Sequence, residues 1–262
     1  MTAQVSVVIP VKENDPSPQL PELLEQLKRQ TVECEVLLMG GRGIGQARRR
    51  GVEQAKCDII AFIDSDCLLP SDTWIEQMLA PFADPEVTIT HTLGTFLPED
   101  PMVMRYAVLS RPYTEGMAPG TGHTLVRKSA ILEAGNFSDV PGCEDRLLFD
   151  KMKGKFVFMP GLEVRHFHAV TIKGFLTKQL RCKLHCDQIA KDNPHYFYND
   201  DQARQYRNAQ IKYNTTKFFR VFLGKEDTAW LLWPIMAVGQ LFMTRFWHKV
   251  WVRFDLEKRW WI

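Results

Sequence analysis

The sequence is short of the features that mark cross-linked, membrane-spanning or nucleic-acid-binding chains. Its 6 cysteines, at 34, 57, 67, 143, 182 and 186, include no C-x-x-C pair, which argues against zinc ribbons and thioredoxin-like redox centres. Cys182 and Cys186 are one helical turn apart with His185 between them. No second pair completes a four-ligand site, so their reading is structural. No charged n-region or apolar h-region precedes the strand-like run Val5–Pro10, and a reducing, cytoplasmic setting is expected. A net charge of +2 supplies no concentrated basic stripe, so nucleic acid is not an expected partner. There is no internal repeat and no low-complexity segment, and long apolar runs are missing until near the C-terminus.

What is present is an ordinary globular composition, 45% apolar and 24% charged, over 262 residues. That length suffices for one large α/β domain with a modest appendage. The first third alternates between two periodicities. Val5–Pro10 is an apolar β-branched run, and residues 20–30 carry apolar side chains at 20, 23, 24 and 27, the spacing of a helix. A strand is expected at 35–39, then a tight turn through Gly40, Gly41, Arg42 and Gly43. A helix with a basic face follows at 44–55, and a buried strand at Ile59–Ile63. Ser71 is expected to cap a helix running to about Phe82. Strands separated by helices predict a doubly wound, mostly parallel sheet. Further on, the pattern predicts a strand near 87–93, a helix at Met102–Leu109, a strand-to-helix passage at 124–135 and a short helix within 143–154. Edge strands are expected at 156–159 and 163–167, and only helix from Thr171 onward.

The sharpest local feature is Asp64-Ser65-Asp66, directly after the apolar strand. Ligands of open α/β sheets bind outside the carboxyl ends of strands, so both carboxylates face the expected cleft. Two acids one position apart can present oxygens to a hard divalent cation such as Mg²⁺ or Mn²⁺, leaving positions open for a diphosphate. A capped turn is the plainer use of the same residues. Glu144-Asp145 opens a short helical stretch about eighty residues later. A carboxylate there could deprotonate an attacking hydroxyl, or simply favour a helix N-terminus. His166 and His168 fall on one face of an expected strand, where imidazole could be a third metal ligand, a diphosphate contact or a buried hydrogen-bonded group.

In this order and spacing the pieces resemble glycosyltransferase family 2. The resemblance is carried by VSVVIPVKEN, LPELLEQLKRQT, GIGQARRRGVEQAKCDIIAFIDSDC, GTGHTLVRKSAILEAGNFSD and GCEDRLLFDKMKGKFVFMPGLEVRHF, over roughly residues 5–168. It implies a GT-A fold, Rossmann-like with helices on a mostly parallel sheet, and a helical C-terminal appendage. It also implies an inverting, metal-dependent displacement from a UDP- or GDP-linked sugar to a glycan or lipid-linked acceptor. By the same resemblance Asp66 would bind Mn²⁺ or Mg²⁺, and Asp64 would touch the metal or the ribose. Pro10 and Glu13 would lie by the base, and Arg48 and Gly122 along the nucleotide-sugar. Asp145 would be the general base with Glu144 supporting it, and His166 would make the remaining metal or diphosphate contact. The chain departs from the family where Leu38-Met39-Gly40-Gly41-Arg42 replaces an acidic base-binding stretch, so the base is not assigned.

Two other classes compete. Gly40–Gly45 after a strand, with Asp64 about twenty residues on, has the spacing of a dinucleotide fingerprint, and Tyr213 and Lys217 supply the Tyr-x-x-x-Lys of an NAD(P)-dependent short-chain oxidoreductase. A strand and helix already precede that loop, which argues against it. A non-catalytic sugar-nucleotide-binding module is the third class, and joint retention of Asp64, Asp66 and Asp145 argues against decay.

The C-terminal region, 216–262, is set apart from a catalytic domain at 1–215. The 17 residues 228–244 carry no charge, contain Pro234, and sit at the short limit for crossing a bilayer. Basic residues flank both sides and tryptophans are frequent. A single crossing would violate the positive-inside tendency, so helices lying on an anionic membrane surface are expected, with the protein peripheral on the inner face of the cell membrane.

Overall fold

The computed structural model describes residues 3–12, 16–110, 120–139, 144–167, 171–178 and 200–242. The chain separates into two compact units, the first formed by Met1–Thr95 with Tyr113–Phe167 and the second by Phe96–Pro112 with His168–Ile262.

The first unit is built on a six-stranded sheet. Its strands are β1 (Val5–Pro10), β2 (Cys34–Met39), β3 (Ile59–Ile63), β5 (Val87–His91), β7 (His123–Arg127) and β8 (Lys155–Phe158), in the spatial order β2-β1-β3-β7-β5-β8. All neighbours are parallel except β7, which runs against both β3 and β5. Covering both faces leaves β3 and β5 buried throughout, which is why β3 and the first four residues of β5 read as apolar or β-branched runs and not as alternating ones.

Parity along the strands sorts the two layers. Val5, Val7 and Ile9 of β1 and Ile59, Ala61 and Ile63 of β3 pack against α1 (Leu20–Lys28) and α3 (Trp74–Leu79), through Leu23, Leu27, Trp74, Ile75 and Met78. The intervening Val8, Ile60 and Phe62 face the opposite layer, which contains α2 (Ile44–Gln54), α5 (Lys128–Glu133) and α6 (Glu144–Phe149). Helix α2 approaches β1 so closely that a Cβ at Gly51 would lie 2.3 Å from a methyl of Val8. The result is the expected doubly wound sheet, with the ends of β1, β2 and β3 and the start of antiparallel β7 at one edge.

Three local expectations change. Ser71 does not cap α3: the helix begins at Trp74, whose N–H reaches the Ser71 carbonyl, while the Ser71 hydroxyl pairs with that of Thr73. The helix then tightens into a 3₁₀ turn at Ala80–Ala83, where Pro81 supplies no N–H. Residues 163–167 do not form an edge strand. β9 (Val164–His166) is the middle strand of a second sheet, between two-residue strands β4 (Cys67–Leu68) and β6 (Gly94–Thr95), too short to announce themselves in sequence. The basic face expected on α2 is divided: Arg49 and Arg50 are exposed, but Arg48 is buried.

The second unit has its own core, in which Val103, Tyr106 and Ala107 of α4 (Met102–Leu109) join Phe175, Ala229, Trp230 and Met236. Helix α7 (Asp200–Val221) leads through a 3₁₀ turn at Thr228–Leu232 into α8 (Trp233–Phe242). Pro234 stands in the first turn of α8, where a helix needs no N–H, so the apolar run breaks there into two short pieces. Among the described residues no helix is long and apolar enough to cross a membrane.

Candidate active site

The edge where β1, β2 and β3 end collects the acidic residues. The chain leaves β3 at Ile63 and turns at once, with the Cys67 N–H donating to the Asp64 carbonyl at 3.0 Å. That turn presents Asp64 and Asp66 outside the sheet. Because β7 runs antiparallel, its first residue, His123, pairs with Ile63 at the last position of β3, and the Gly122 carbonyl accepts the Asp64 N–H at 3.1 Å. A Cβ at 122 would lie 2.7 Å from Asp64 Oδ2 and 3.3 Å from His166 Cε1, so any larger residue would have to displace these side chains.

The small sheet delivers the imidazole. Cys67 of β4 pairs with His166 of β9, and the Phe167 N–H donates to the Asp66 carbonyl at 2.9 Å, so the turn and β9 are joined at both positions. His166 Nε2 stands 3.2 Å from Asp66 Oδ1 and 3.9 Å from Asp64 Oδ2. Ligand atoms of Asp66, Cys67 and His166 all lie within 4.8 Å of one another. The donor set of carboxylate, thiol and imidazole fits a divalent cation.

Arg48 ties the other side together. From α2 it donates to Asp64 Oδ1 at 2.7 Å and also to the Glu144 carboxylate at the first position of α6. Burial works against the guanidinium's charge, yet Asp64 and Glu144 outweigh it and hold the pKa above its ordinary value. Glu144 is pushed up to about 7, chiefly by burial and further by neighbouring Asp145, with Arg48 pulling the other way. The two helices can meet only because position 45 is glycine, where a Cβ would lie 2.6 Å from the Ser138 carbonyl and 3.3 Å from Glu144 Cβ. Asp145, half-buried, follows Glu144, and its Oδ1 accepts the Arg146 N–H.

Of the residues singled out in sequence, Arg48, Asp64, Asp66, Gly122, Glu144 and His166 therefore converge, with Asp145 adjoining Glu144. Pro10 sits at the end of β1, opposite Met39. Glu13 lies outside the described residues, as do His168, Cys143, Cys182, His185 and Cys186. Tyr213 and Lys217 belong to α7 in the second unit, where the Lys217 ammonium binds Glu226 at 2.8 Å. Two site residues escaped sequence reading. Cys67 is the residue directly after the acidic pair, and its adjacency was the available signal. His123 stacks edge-on to His166 with ring centroids 5.8 Å apart, and its buried Nδ1 has no partner among the described residues. Burial, with His166 adding, lowers the His123 pKa to about 4, against the opposing charge of Asp64.

Comparison with known proteins bears on this edge. A family model described as "Glycosyl transferase family 2" matches residues 8–132, from β1 through β7 and nearly all of α5. Over that stretch the chain is similar to glycosyl transferase family 2. Among solved structures, the mannosyltransferase PcManGT from Pyrobaculum calidifontis, in complex with GDP-Man and Mn²⁺, is 17% identical with a TM-score of 0.51, covering 70% of this chain and 61% of its own. S. aureus TarS in complex with UDP is 11% identical with a TM-score of 0.48, covering 70% and 65%. Glucosyl-3-phosphoglycerate synthase from Mycobacterium tuberculosis, in complex with Mn²⁺, UDP and phosphoglyceric acid, is 16% identical with a TM-score of 0.47, covering 69% and 78%. The chain thus spans under two thirds of the mannosyltransferase and TarS chains. No curated protein sequence matches it. The fold is that of the GT-A glycosyltransferases, with a mostly parallel sheet between helices and a helical C-terminal region.

Proposed function

We propose that the protein transfers a glycosyl group from a UDP- or GDP-linked sugar to an acceptor hydroxyl, by a metal-dependent, inverting single displacement. The observation that carries this reading is the convergence of Asp64, Asp66 and His166 at the edge where β3 ends, the two aspartates lying inside the region matched by the family model. Asp66 and His166 would hold Mn²⁺ or Mg²⁺, with Asp64 beside them. Such a cation supplies Lewis-acid stabilisation for the charge that develops on a departing nucleoside diphosphate.

The remaining work falls to side chains of this chain. Arg48 holds Asp64 in a fixed rotamer and adds positive charge beside the diphosphate position. Asp145 would take the proton of the acceptor hydroxyl as it attacks the anomeric carbon. Glu144, locked to Arg48, fixes the start of α6 and hence the height of Asp145 above the donor. Pro10 and Glu13 are assigned to the base, and Gly122 to the sugar side. The catalytic domain is taken as 1–215 and the tail as 216–262.

An anionic membrane surface as partner, with a lipid-linked acceptor, is supported by the second unit. Phe219, Phe222, Leu223, Ile235, Val238 and Phe242 are each more than half exposed. The acids between α7 and α8 are meanwhile turned onto bases: Glu226 onto Lys217 and Arg220, and Asp227 onto Arg105. A turn whose two acids are paired, flanked by exposed aromatic and aliphatic side chains, suits the head-group region of a bilayer.

The test of the central reading is thermal stabilisation by UDP, GDP and NAD⁺, each with and without Mn²⁺. A ligand at a hundred times its Kd adds about 2.7 kcal/mol, a shift of a few degrees in a protein of this size. Stabilisation by one nucleoside diphosphate that requires Mn²⁺ and disappears in Asp66→Ala is expected. Metal-independent stabilisation by NAD⁺ alone would overturn the reading. Donor binding without turnover over any acceptor pool would reduce the protein to a binding module.

A further inference from the structure

We propose that Cys67 is a third protein ligand beside Asp66 and His166, so that the site takes Zn²⁺ or another borderline-soft cation in preference to Mn²⁺ and Mg²⁺. This rests on the reading of Asp66 and His166 as metal-holding residues and adds to it a thiolate.

Geometry carries the assignment. Cys67 and His166 are directly paired across the antiparallel β4–β9 ladder, so their side chains leave the sheet on the same face, with Cβ atoms about 4.5–5.5 Å apart. Asp66 enters from the turn, its Oδ1 at 3.2 Å from His166 Nε2. The three ligand atoms already fall within 4.8 Å of one another. Metal–ligand bonds of ~2.0–2.3 Å in a tetrahedron put ligand atoms roughly 3.3–3.8 Å apart, so small side-chain rotations close the set around one ion. Three protein ligands leave a fourth position, the arrangement of zinc sites that also bind substrate or water.

The environment of the sulfur is compatible with this. Cys67 is a reduced thiol with no exposed surface, and its Sγ lies 3.5 Å from the Gly122 carbonyl. That carbonyl also accepts the Asp64 N–H, so it keeps a partner when the thiol proton leaves. Binding then exchanges the S–H bond for an S–metal bond and releases one proton to solvent, with no change of oxidation state. Thiolate favours zinc, cobalt and cadmium, whereas Mn²⁺ and Mg²⁺ favour oxygen.

The experiment is Co²⁺ titration of the full-length chain after chelation, with Cys143, Cys182 and Cys186, three of the five other thiols, replaced by serine. A near-ultraviolet thiolate-to-cobalt charge-transfer band is expected to saturate at one Co²⁺ and to vanish in Cys67→Ser. Excess Mn²⁺ should displace the band, and this is read without altering Cys67. Zn²⁺ affinity should fall more than ~100-fold in Cys67→Ser, beyond the loss from an outer-sphere change, while Mn²⁺ affinity stays near that of the parent chain. Co²⁺ that competes with Mn²⁺ but gives no band, or a band that persists in Cys67→Ser, overturns the proposal. Asp66→Asn separates the two levels. If Mn²⁺ binding survives that change, the metal-holding reading itself fails; if Mn²⁺ binding is lost but no band ever formed, only the role of Cys67 fails.

Discussion

Arg48 and Glu144, 96 residues apart in sequence, form an ion pair in which the two side chains are 3% and 4% exposed. The same guanidinium holds Asp64, so one residue of α2 fixes both the carboxylate at the end of β3 and the start of α6. Deleting one member of a buried pair typically costs ~3–5 kcal/mol, because the other is left charged in a medium that cannot solvate it, whereas apolar replacement of both is often near neutral. Arg48→Met is therefore expected to lower thermal stability by many degrees, and Arg48→Met/Glu144→Met to recover most of it. Donor binding should remain lost in both, since Asp64 has no holder in either. Recovery of donor binding in the double variant would show that the pair serves stability alone.

The requirement for glycine at 122 gives a second expectation. A methyl group there meets the Asp64 carboxylate and the His166 ring, both at the proposed cation site. Gly122→Ala should weaken Mn²⁺-dependent binding of a nucleoside diphosphate by tenfold or more, a cost of about 1.4 kcal/mol or above. Gly43→Ala, where an added Cβ has nothing within 4 Å, is the matched control and should bind as the parent does. Equal affinities in the two variants would mean that Asp64 and His166 move aside freely.

These relationships divide what could be read in sequence from what could not. The strands announced themselves because burial on two faces demands apolar or β-branched runs, and the acidic turn did so because it follows such a run directly. By periodicity Arg48 is one of three arginines on a helix, and only the family resemblance singled it out. Only the fold shows that 49 and 50 face solvent while 48 points inward, since its partner Glu144 is remote in sequence. His123 was passed over because its importance comes from the antiparallel register of β7, which places it opposite Ile63. A two-residue strand such as β4 has no periodicity to detect, so nothing local reported that Cys67 lies opposite His166. Ser71 misled in the other direction: a good capping residue lost its place when the chain made one more turn before α3.

Two buried groups pull stability in opposite directions with pH, and the signs can be separated. His123 has its folded pKa lowered to about 4 from the ordinary 6.5, so the unfolded chain binds more protons between those values and stability is lost as pH falls through that window. Glu144 is raised from 4.5 to about 7, so the folded chain binds more protons and its contribution is lost as pH rises from about 4.5 to 7. In chelator, His123→Asn should lose less stability than the parent between pH 6.5 and 4. Glu144→Gln should lose less between pH 4.5 and 7. Melting temperatures across both windows check the two slopes, and parallel curves for parent and variant would remove the corresponding assignment.

The second unit makes the membrane reading concrete enough to fail. Phe218 lies within 5.3–5.8 Å, ring to ring, of Phe219, Phe222 and Trp233, so the end of α7 and the start of α8 share one aromatic cluster whose outer members are exposed. Pairing of Glu226 and Asp227 with arginine and lysine removes the charges that would oppose anionic head groups. Phe222→Glu and Val238→Glu each place a carboxylate on that exterior without touching the core formed by Tyr106, Trp230 and Met236. Each should reduce sedimentation with vesicles containing anionic lipid, and the pair together should abolish it, while Mn²⁺-dependent nucleotide stabilisation stays unchanged. Lys225→Glu, on the exposed turn beside them, should weaken binding to anionic vesicles more than to neutral ones. Undiminished vesicle binding in the Phe222→Glu/Val238→Glu chain would mean that this face is not the one that meets the membrane. No vesicle binding by the parent chain would remove the membrane reading altogether and leave the apolar exterior to a protein partner.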